Sequence, residues 1–386
     1  MAGVTVAAGV MAFLLAGGFI AWIFQDMREA TIHSQLGHAQ IVRPGFYEKG
    51  IADPYAFLLS ASGREEQLLA GMPGVVAVTP RLVLSGLISH GETTVIFAGE
   101  GIDPVRERPI SSRISLLAGN DLNGMDERSV LLGEGLAKSL GAKPGNTVVL
   151  LATTATGSAS ALELTVAGIF ATVTKEYDDS AVRLPIAMAR KLMRVDGATS
   201  WVVLLDETAR TPSIIDAVRA VLPASGLEVV PWTALADFYN KTVVLFSKQV
   251  TVMKVIIGLI IVLTISNTLT MSVMERTAEI GTSLAVGVPA NAVMRLFVAE
   301  ALLIGMLGGT IGIAMGYLLA HVISAIGIPM PPPPGMAHGY SGQILVTPSL
   351  ALDAFVLAMV TTLLASAFPA WKAGRMNIVD ALRYGQ

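Results

Sequence analysis

The sequence predicts an α-helical membrane protein with four transmembrane helices and a large extracytoplasmic α+β domain inserted between helices 1 and 2. Three observations support this fold class. The chain is 53% hydrophobic and only 14% charged, which is far from the composition of a soluble domain. Residues 26–247 hold 43 of the 55 Asp, Glu, Lys and Arg residues, and the other 164 residues hold 12. Within the charged block, strand-like runs alternate with short helical patterns.

Four apolar runs are long enough to span a membrane, because ~20 residues of helix cross ~30 Å of hydrocarbon. The first run lacks the basic start and the short apolar core of a signal peptide, so we interpret it as a span. The predicted segments are helix 1 at 1–24, the α+β domain with its stalk helices at 25–247, helix 2 at 248–274, a loop at 275–295, helix 3 at 296–326, a Pro-rich loop at 327–349, helix 4 at 350–371 and a tail at 372–386.

Basic residues in the short connections set the predicted orientation. The tail carries Lys372, Arg375 and Arg383, whereas the Pro-rich loop carries no Lys or Arg. The tail and the 275–295 loop are therefore predicted to be cytoplasmic. The α+β domain and the Pro-rich loop then lie outside the cytoplasm.

The inserted domain is predicted to fold without disulfides, because the chain has no cysteine and the domain is large enough to bury a core. We expect its elements to form two lobes. Its polar ends are predicted to be stalk helices, and helix 2 is predicted to be continuous because it lacks proline. Strands are predicted at 75–88, 93–99, 147–154, 162–170 and 201–206, helices at 57–72, 133–142 and 211–222, and stalks at 25–40 and 232–254.

The predicted cytoplasmic loop combines acidic, basic and turn-forming residues. Glu275, Arg276 and Glu279 follow helix 2, and the two glutamates are four residues apart, which favours one helix face. Gly281 and Gly287 permit a close approach or a positive φ. This pattern suits docking to a soluble partner. The alternative is that the loop simply carries the charges of any helix that leaves a membrane.

Several segments resemble known permeases. The segment ERTAEIGTSLAVGVPANAVMRLFVAEALLIGMLGGTIGIAMGYLLA (275–320) resembles the signature of the FtsX-like permeases, and the tail PAWKAGRMNIVDALRYG (369–385) is similar to the end of that family. Three segments of the inserted domain resemble the periplasmic core domain shared by macrolide-exporter and lipoprotein-releasing permeases. They are GHAQIV (37–42), GMPGVVAV (71–78) and LLGEGLAKSLGAKPGNTVVL (131–150).

The resemblance implies an ABC transporter permease of the mechanotransmission type (type VII), in a bacterial inner membrane with its large domain in the periplasm. Two permease chains, identical or different, would associate, and a separate cytoplasmic ABC ATPase would bind each 275–295 loop. The chain has no G-x-x-x-x-G-K-[S/T] phosphate loop. We therefore expect ATP and Mg on the partner ATPase, with neither a cofactor nor enzyme activity on this chain.

The resemblance also assigns roles within the loop. A short coupling helix would sit in a groove of the ATPase, with Ile280 and Leu284 as its apolar anchors. The residues predicted to couple the chain to the ATPase are Glu275, Arg276, Glu279, Ile280, Gly281, Leu284 and Gly287.

Predicted helix 3 is rich in glycine at four-residue spacing, which lets another helix approach closely. We expect these glycines to line one ridge, either within the bundle or between two permease chains. The alternative is that glycine is common in membrane helices. The predicted packing residues are Gly305, Gly308, Gly309, Gly312 and Gly316.

Charged residues inside membrane helices usually have a role. Lys254, Glu300 and Asp353 each lie near the end of a predicted span. A proton or ion pathway would need such groups near the midplane. We therefore interpret the three as structural anchors.

The sequence contains no pattern for catalysis or nucleic-acid binding. Its five histidines lack metal-ligand spacing, and it has no G-x-S-x-G motif and no basic cluster. Among family functions, we expect ATP-driven extraction or export of lipophilic cargo such as lipoproteins, with membrane lipid and a periplasmic carrier or adaptor as further partners. The alternatives are a tripartite efflux permease for a drug or siderophore, and FtsX-type signalling to a periplasmic hydrolase. The size of the inserted domain favours transport, because signalling members tend to have small external domains.

Overall fold

The computed structural model describes residues 2–50, 53–60, 64–124, 128–222, 226–331 and 339–375. Part of the predicted Pro-rich loop and most of the predicted tail lie outside the described residues. The chain divides into two compact units. The helical bundle comprises Met1–Gln25, Thr242–Met330 and Ser341–Gln386, and the inserted domain comprises Asp26–Lys241 with Pro331–Tyr340.

The helices and strands of the described residues are numbered in chain order. The helices are α1 (Ala2–Thr31), α2 (Phe46–Lys49), α3 (Arg64–Ala70), α4 (Glu134–Leu140), α5 (Lys175–Asp178), α6 (Ile186–Met193), α7 (Thr211–Val221), α8 (Trp232–Leu235), α9 (Asp237–Glu275), α10 (Thr277–Ala285), α11 (Ala290–Ile326) and α12 (Pro348–Gly374). The strands are β1 (Ala39–Val42), β2 (Val75–His90), β3 (Thr93–Ile102), β4 (Ser115–Gly119), β5 (Ser129–Gly133), β6 (Thr147–Thr153), β7 (Ala159–Ala171), β8 (Ala181–Pro185), β9 (Ser200–Leu205), β10 (Glu228–Pro231), β11 (Ile328–Met330) and β12 (Tyr340–Gly342).

Helices α1, α9, α11 and α12 are long and apolar enough to cross a membrane. Together with the domain inserted between α1 and α9, they confirm the predicted fold class. Each helix buries one stripe of residues at spacings of three or four. On α9 this stripe is Gly258, Ile261, Ile265, Leu269 and Val273. Ile261, Ile265 and Leu269 of this stripe pack with side chains of α1 and with alanines of α11 and α12 in one apolar core, to which α1 contributes Val6, Val10 and Leu14.

The inserted domain is built on a single ten-stranded sheet. Its strand order is β10-β1-β9-β2-β3-β8-β5-β7-β4, and β6 pairs with both β2 and β7. Strands β2, β3, β8, β5, β7 and β6 therefore form a closed ring of hydrogen-bonded neighbours. The pairs β3–β8 and β5–β7 are parallel, and the other pairs are antiparallel.

Two large hydrophobic cores lie against this sheet. One fills the ring and includes Leu84, Phe97 and Val182, together with side chains of α4 and α6. The other includes Ile41, Trp201 and side chains of α3 and α7. Two cores agree with the expected two lobes, but one continuous sheet carries both, because β2 is 16 residues long and contributes to each.

Three predicted helical boundaries were wrong. The first stalk does not reach residue 40, because α1 passes into a π-helical turn, Ile32–Leu36, and strand β1 follows. The second stalk breaks at Ala236, which has φ −89° and ψ 59° between α8 and α9. The predicted 57–72 helix contracts to α3, because the backbone of Leu59 exchanges two hydrogen bonds with Ala198 at 2.7 and 3.1 Å.

Candidate functional site

The connection between α9 and α11 is an ordered short helix. Helix α9 ends at Glu275, Arg276 leaves the helical region at φ −97° and ψ 13°, and α10 begins at Thr277. Glu275 and Glu279 therefore do not share one uninterrupted helix face, contrary to the prediction. After α10, Gly287 adopts φ 102°, a conformation that favours glycine.

One face of α10 is buried within the bundle. Ile280 is 7% exposed and Leu284 is partly buried, and both pack against a small apolar cluster. Gly281 is buried as well. Because Ile280 is buried, its predicted role as an anchor in a partner's groove does not fit its position, whereas the role of the partly buried Leu284 stays a prediction. The cluster consists of Val273, Ile280, Val293, Phe297, Ala370 and Ala373.

The opposite face of α10 is exposed. It carries Glu279, Thr282 and Ser283 and ends at Val286, whose side chain is 82% exposed. Glu275 is also exposed, one turn before Glu279. We call Glu275, Glu279, Thr282, Ser283 and Val286 the α10 outer face. Val286 was not predicted, although the spacing 279, 282, 283, 286 would have placed it two turns after Glu279 on the same helix face.

Ion pairs hold the three charged residues that were predicted as anchors. Arg276 lies 3.6 Å from Glu300 of α11, so this predicted coupling residue also joins two helices. Lys254 of α9 lies 3.6 Å from Asp353 of α12 and 5.7 Å from the ring of Phe13. These pairs fit the predicted anchoring role.

The glycines of α11 form two packing surfaces instead of one ridge. A Cβ atom on Gly312 would lie 2.6 Å from the carbonyl oxygen of Ala7, and Gly308 and Gly316 also face α1. A Cβ atom on Gly305 would lie 2.4 Å from Thr362 Oγ1 of α12, and Gly309 faces the same helix. Both surfaces lie within one chain. The prediction of a single ridge was wrong because the glycines form two four-residue series, 305/309 and 308/312/316, and each series faces a different neighbouring helix.

The inserted domain contains a buried ionic network that was not predicted from the sequence. Arg81 and Arg183 are 2% and 1% exposed, and Glu107 is 2% exposed. Glu100 lies 3.5 Å from Arg81 and 3.3 Å from Arg183, and Arg81 also pairs with Glu107. Although burial alone would raise the pKa of Glu100, the two guanidinium groups lower it. The only sequence signal is a charged residue inside each of three apolar strands.

The described residues contain no cluster of three or more His, Cys, Asp or Glu side chains that could hold a metal ion. The arrangement that stands out is therefore a surface, the α10 outer face, on a buried apolar support. Such a surface can bind another protein.

Comparisons with known proteins identify the class. A model of the MacB-like periplasmic core domain matches residues 2–221, and a model of the C-terminal FtsX-like permease domain matches residues 251–378. The chain belongs to the MacB/LolC/FtsX family of ABC transporter permeases. This confirms the family resemblance of the sequence.

Relatives from bacteria and an archaeon match different lengths of the chain. The lipoprotein-releasing system transmembrane protein LolC of Xylella fastidiosa is 26% identical over 334 residues, which cover 81% of this chain and 78% of LolC. An uncharacterized ABC transporter permease of Methanocaldococcus jannaschii is 26% identical over 227 residues, so the match spans 56% of this chain and about half (54%) of that permease. The macrolide export ATP-binding/permease protein MacB of Escherichia coli is 36% identical over 143 residues, which cover 37% of this chain and 20% of MacB.

Two solved structures also match the chain. The extracellular domain of the noncanonic ABC-type transporter YknZ from Gram-positive bacteria covers 50% of this chain and 98% of its own, at 14% identity and a TM-score of 0.38. The periplasmic region of MacB from Actinobacillus actinomycetemcomitans covers 53% of this chain and 93% of its own, also at 14% identity and a TM-score of 0.38.

Proposed function

We propose that the α10 outer face binds a separate cytoplasmic ABC ATPase, and that ATP hydrolysis there drives movement of the inserted domain outside the membrane. One observation carries this proposal. The α10 outer face exposes the two acidic side chains Glu275 and Glu279 and the apolar Val286, while the opposite face of α10 packs in the bundle. A partner that presses on α10 therefore presses on α9, α11 and α12 through Val273, Phe297 and Ala370.

The proposed cargo is lipophilic and leaves from the outer leaflet of a bacterial inner membrane, with two permease chains in each complex. The match to LolC over 81% of this chain supports lipoproteins as that cargo. The MacB-like core at residues 2–221 supports a second candidate, which is efflux with an adaptor protein. Reconstituted vesicles separate the two: lipoprotein release to a soluble carrier supports the first, and drug efflux without such release supports the second.

Two changes of charge on the α10 outer face test the ATPase interaction. We expect Glu279→Lys and Val286→Asp to leave the chain inserted and folded but to weaken ATPase binding at least about 10-fold, or ~1.4 kcal/mol. Both side chains are exposed, so neither change should disturb the bundle. Co-purification of the ATPase with each variant measures the loss, and thermal unfolding in detergent checks the fold.

The matched control is Glu163→Lys, the same charge reversal at an exposed site on β7 of the inserted domain. It should retain the ATPase at the wild-type level. If both α10 variants also retained the ATPase at that level, this face would not be the coupling surface.

A further inference from the structure

Main-chain carbonyl oxygens at the end of α1 accept hydrogen bonds from residues of the inserted domain. Helix α1 passes into the π-helical turn Ile32–Leu36, in which His33 leaves helical geometry at φ −92° and ψ 16°. The last carbonyl groups of a helix have no partner within it. In this turn Ser34 O accepts from Arg183 Nη2 at 2.9 Å, and Gln35 O accepts from Arg81 Nη1.

The neighbouring carbonyls of this turn also have partners. Ile32 O accepts from the amide of Gly37 at 3.0 Å, and His33 O accepts from the amide of Arg113 at 3.0 Å. Leu36 O accepts from Gln40 Nε2 at 3.2 Å. Two of the five carbonyls of the turn are therefore satisfied by residues just after it, and the other three by donors from distant parts of the inserted domain.

The two arginines reach the turn from different strands. Arg81 lies on β2 and Arg183 on β8, with β3 between them. Glu100 of β3 lies directly opposite Arg183 in the parallel register and forms ion pairs with both arginines. Because a guanidinium group presents donors in two directions, each arginine can bind a carboxylate and a carbonyl at the same time.

This network is more than a device for stability. Burying paired charges is costly, and apolar side chains of similar volume often give an equally stable or more stable core. Apolar side chains cannot donate hydrogen bonds to the carbonyls of Ser34 and Gln35. The network therefore adds N–H donors at fixed positions, and the carbonyl groups at the end of α1 accept hydrogen bonds from them.

A second chain of hydrogen bonds holds α1 one turn earlier. The Leu205 amide donates to His38 Nδ1 at 3.0 Å, which leaves the proton of the neutral ring on Nε2. His38 Nε2 donates to Thr208 Oγ1 at 3.0 Å, and the Thr208 hydroxyl donates to Glu29 Oε1 of α1 at 3.0 Å. The start of α9 is held by a hydrogen bond from Asn240 Nδ2 to Thr233 O at 2.7 Å, and by packing of Tyr239 against an apolar cluster that includes Val202 and Leu204.

We propose that Arg81 and Arg183 clamp the end of α1 to the sheet, and that α1 is consequently the helix through which movement enters the inserted domain. The second half of this proposal rests on the proposed function. Arg81 and Arg183 are then positioning residues. Their role is to convert displacement of α1 into displacement of the whole sheet.

Spin labels within the inserted domain test the clamp in the full-length chain. The chain has no cysteine, so Arg28→Cys on α1 and Lys191→Cys on α6 give one labelled pair. Arg81→Lys/Arg183→Lys keeps both charges beside Glu100 and Glu107 but loses the two-directional donors. We expect this double variant to unfold cooperatively near the wild-type temperature, with a distance distribution at least ~2-fold broader. An equally narrow distribution would overturn the clamp.

Two further measurements complete the test. Lys175→Ala removes an exposed ion pair, Lys175–Asp179 at 2.6 Å, and should leave the distribution unchanged. If the double variant fails to fold, hydrogen exchange in the wild-type chain decides: the amides of Gly37 and Arg113 should be protected as strongly as those of β2, and exchange ~100-fold faster would overturn the clamp.

A third experiment, in the presence of ATP and the ATPase, tests the clamp and the proposed function separately. With the ATPase bound, ATP should change the hydrogen exchange of the inserted domain in the wild-type chain and not in the folded double variant. An equal response in both would overturn α1 as the entry point. If no ATPase bound to the wild-type chain, the proposed function would be wrong. The distances between the spin labels would still show whether the two arginines clamp the end of α1.

Discussion

His38 illustrates how a buried residue can couple the protein to pH. Its ring is 1% exposed and accepts a hydrogen bond from a main-chain amide, so a proton on Nδ1 would break that bond. Burial, followed by the nearby His33, lowers the pKa of His38 from 6.5 to about 4. Between those values the unfolded chain binds a proton at this residue and the folded chain does not.

This difference predicts a loss of stability in acid. As the pH falls from about 6.5 to about 4, His38 should lower the free energy of unfolding by up to ~3 kcal/mol. His38→Gln can still accept from Leu205 and donate to Thr208 but does not titrate. Melting temperatures of both proteins across this pH range measure the effect. The wild-type curve should fall more steeply, and parallel curves would contradict the assignment.

The predicted coupling residues show what the sequence could and could not indicate about single positions. Residues of the turn were predicted from the change between apolar and charged runs, which marks where a chain leaves the membrane. Which of them face outwards depends on a local break at Arg276 and on packing against α11 and α12. That is why Ile280 was predicted as an anchor and Val286 was missed.

At the scale of elements, α11 works as a two-sided spacer. Gly308, Gly312 and Gly316 admit α1, and Gly305 and Gly309 admit α12. Because these glycines have no side chains, the backbones of the neighbouring helices can approach closely. Such packing stabilises the bundle inside a membrane, where the hydrophobic effect does not favour contact between helices.

Alanine substitutions test this packing. Gly312→Ala should lower the free energy of unfolding by about 1–3 kcal/mol, because its Cβ atom would lie 2.6 Å from a main-chain oxygen of α1. The control is Gly258→Ala on α9, whose Cβ atom would make an ordinary contact of 3.4 Å with Thr361 and improve helix propensity. Thermal unfolding in detergent should separate the two variants. Equal melting temperatures would show that the α11–α1 contact is not close-packed.

Helices and strands could be predicted where the pattern of apolar residues extended over enough positions to be recognised. Strands β2, β3, β6, β7 and β9 were predicted from runs of six or more apolar or alternating residues. Strands β5, β8 and β10 were not predicted, because four or five residues are too few to distinguish a short strand from an apolar loop. The end of α1 was also misplaced: Gly37, at φ 64°, follows the last turn, and the two arginines that bind carbonyls of this turn lie far away in the sequence.

At the scale of the whole molecule, the predicted topology can be tested directly. Cysteines introduced at Ser112 and Ser341 should react with a membrane-impermeant thiol reagent applied to intact cells, whereas one at Ser283 should not. All three residues are exposed, and the chain has no native cysteine to interfere. Reaction of a cysteine at position 283 from outside would show that the chain has the opposite orientation. The α10 outer face would then not lie in the cytoplasm.

The position of β1 in the sheet has a consequence for biosynthesis. This strand lies between β9 and β10, so it has no sheet neighbour until about 160 further residues have been made. At 5–20 residues per second, that interval lasts on the order of 10 s. During this time the nascent chain has an unpaired apolar segment next to its first membrane helix. Since β10 is followed almost at once by α9, closure of the sheet and insertion of the second span should compete in time, and a chaperone that shields the nascent segment would favour the correct order.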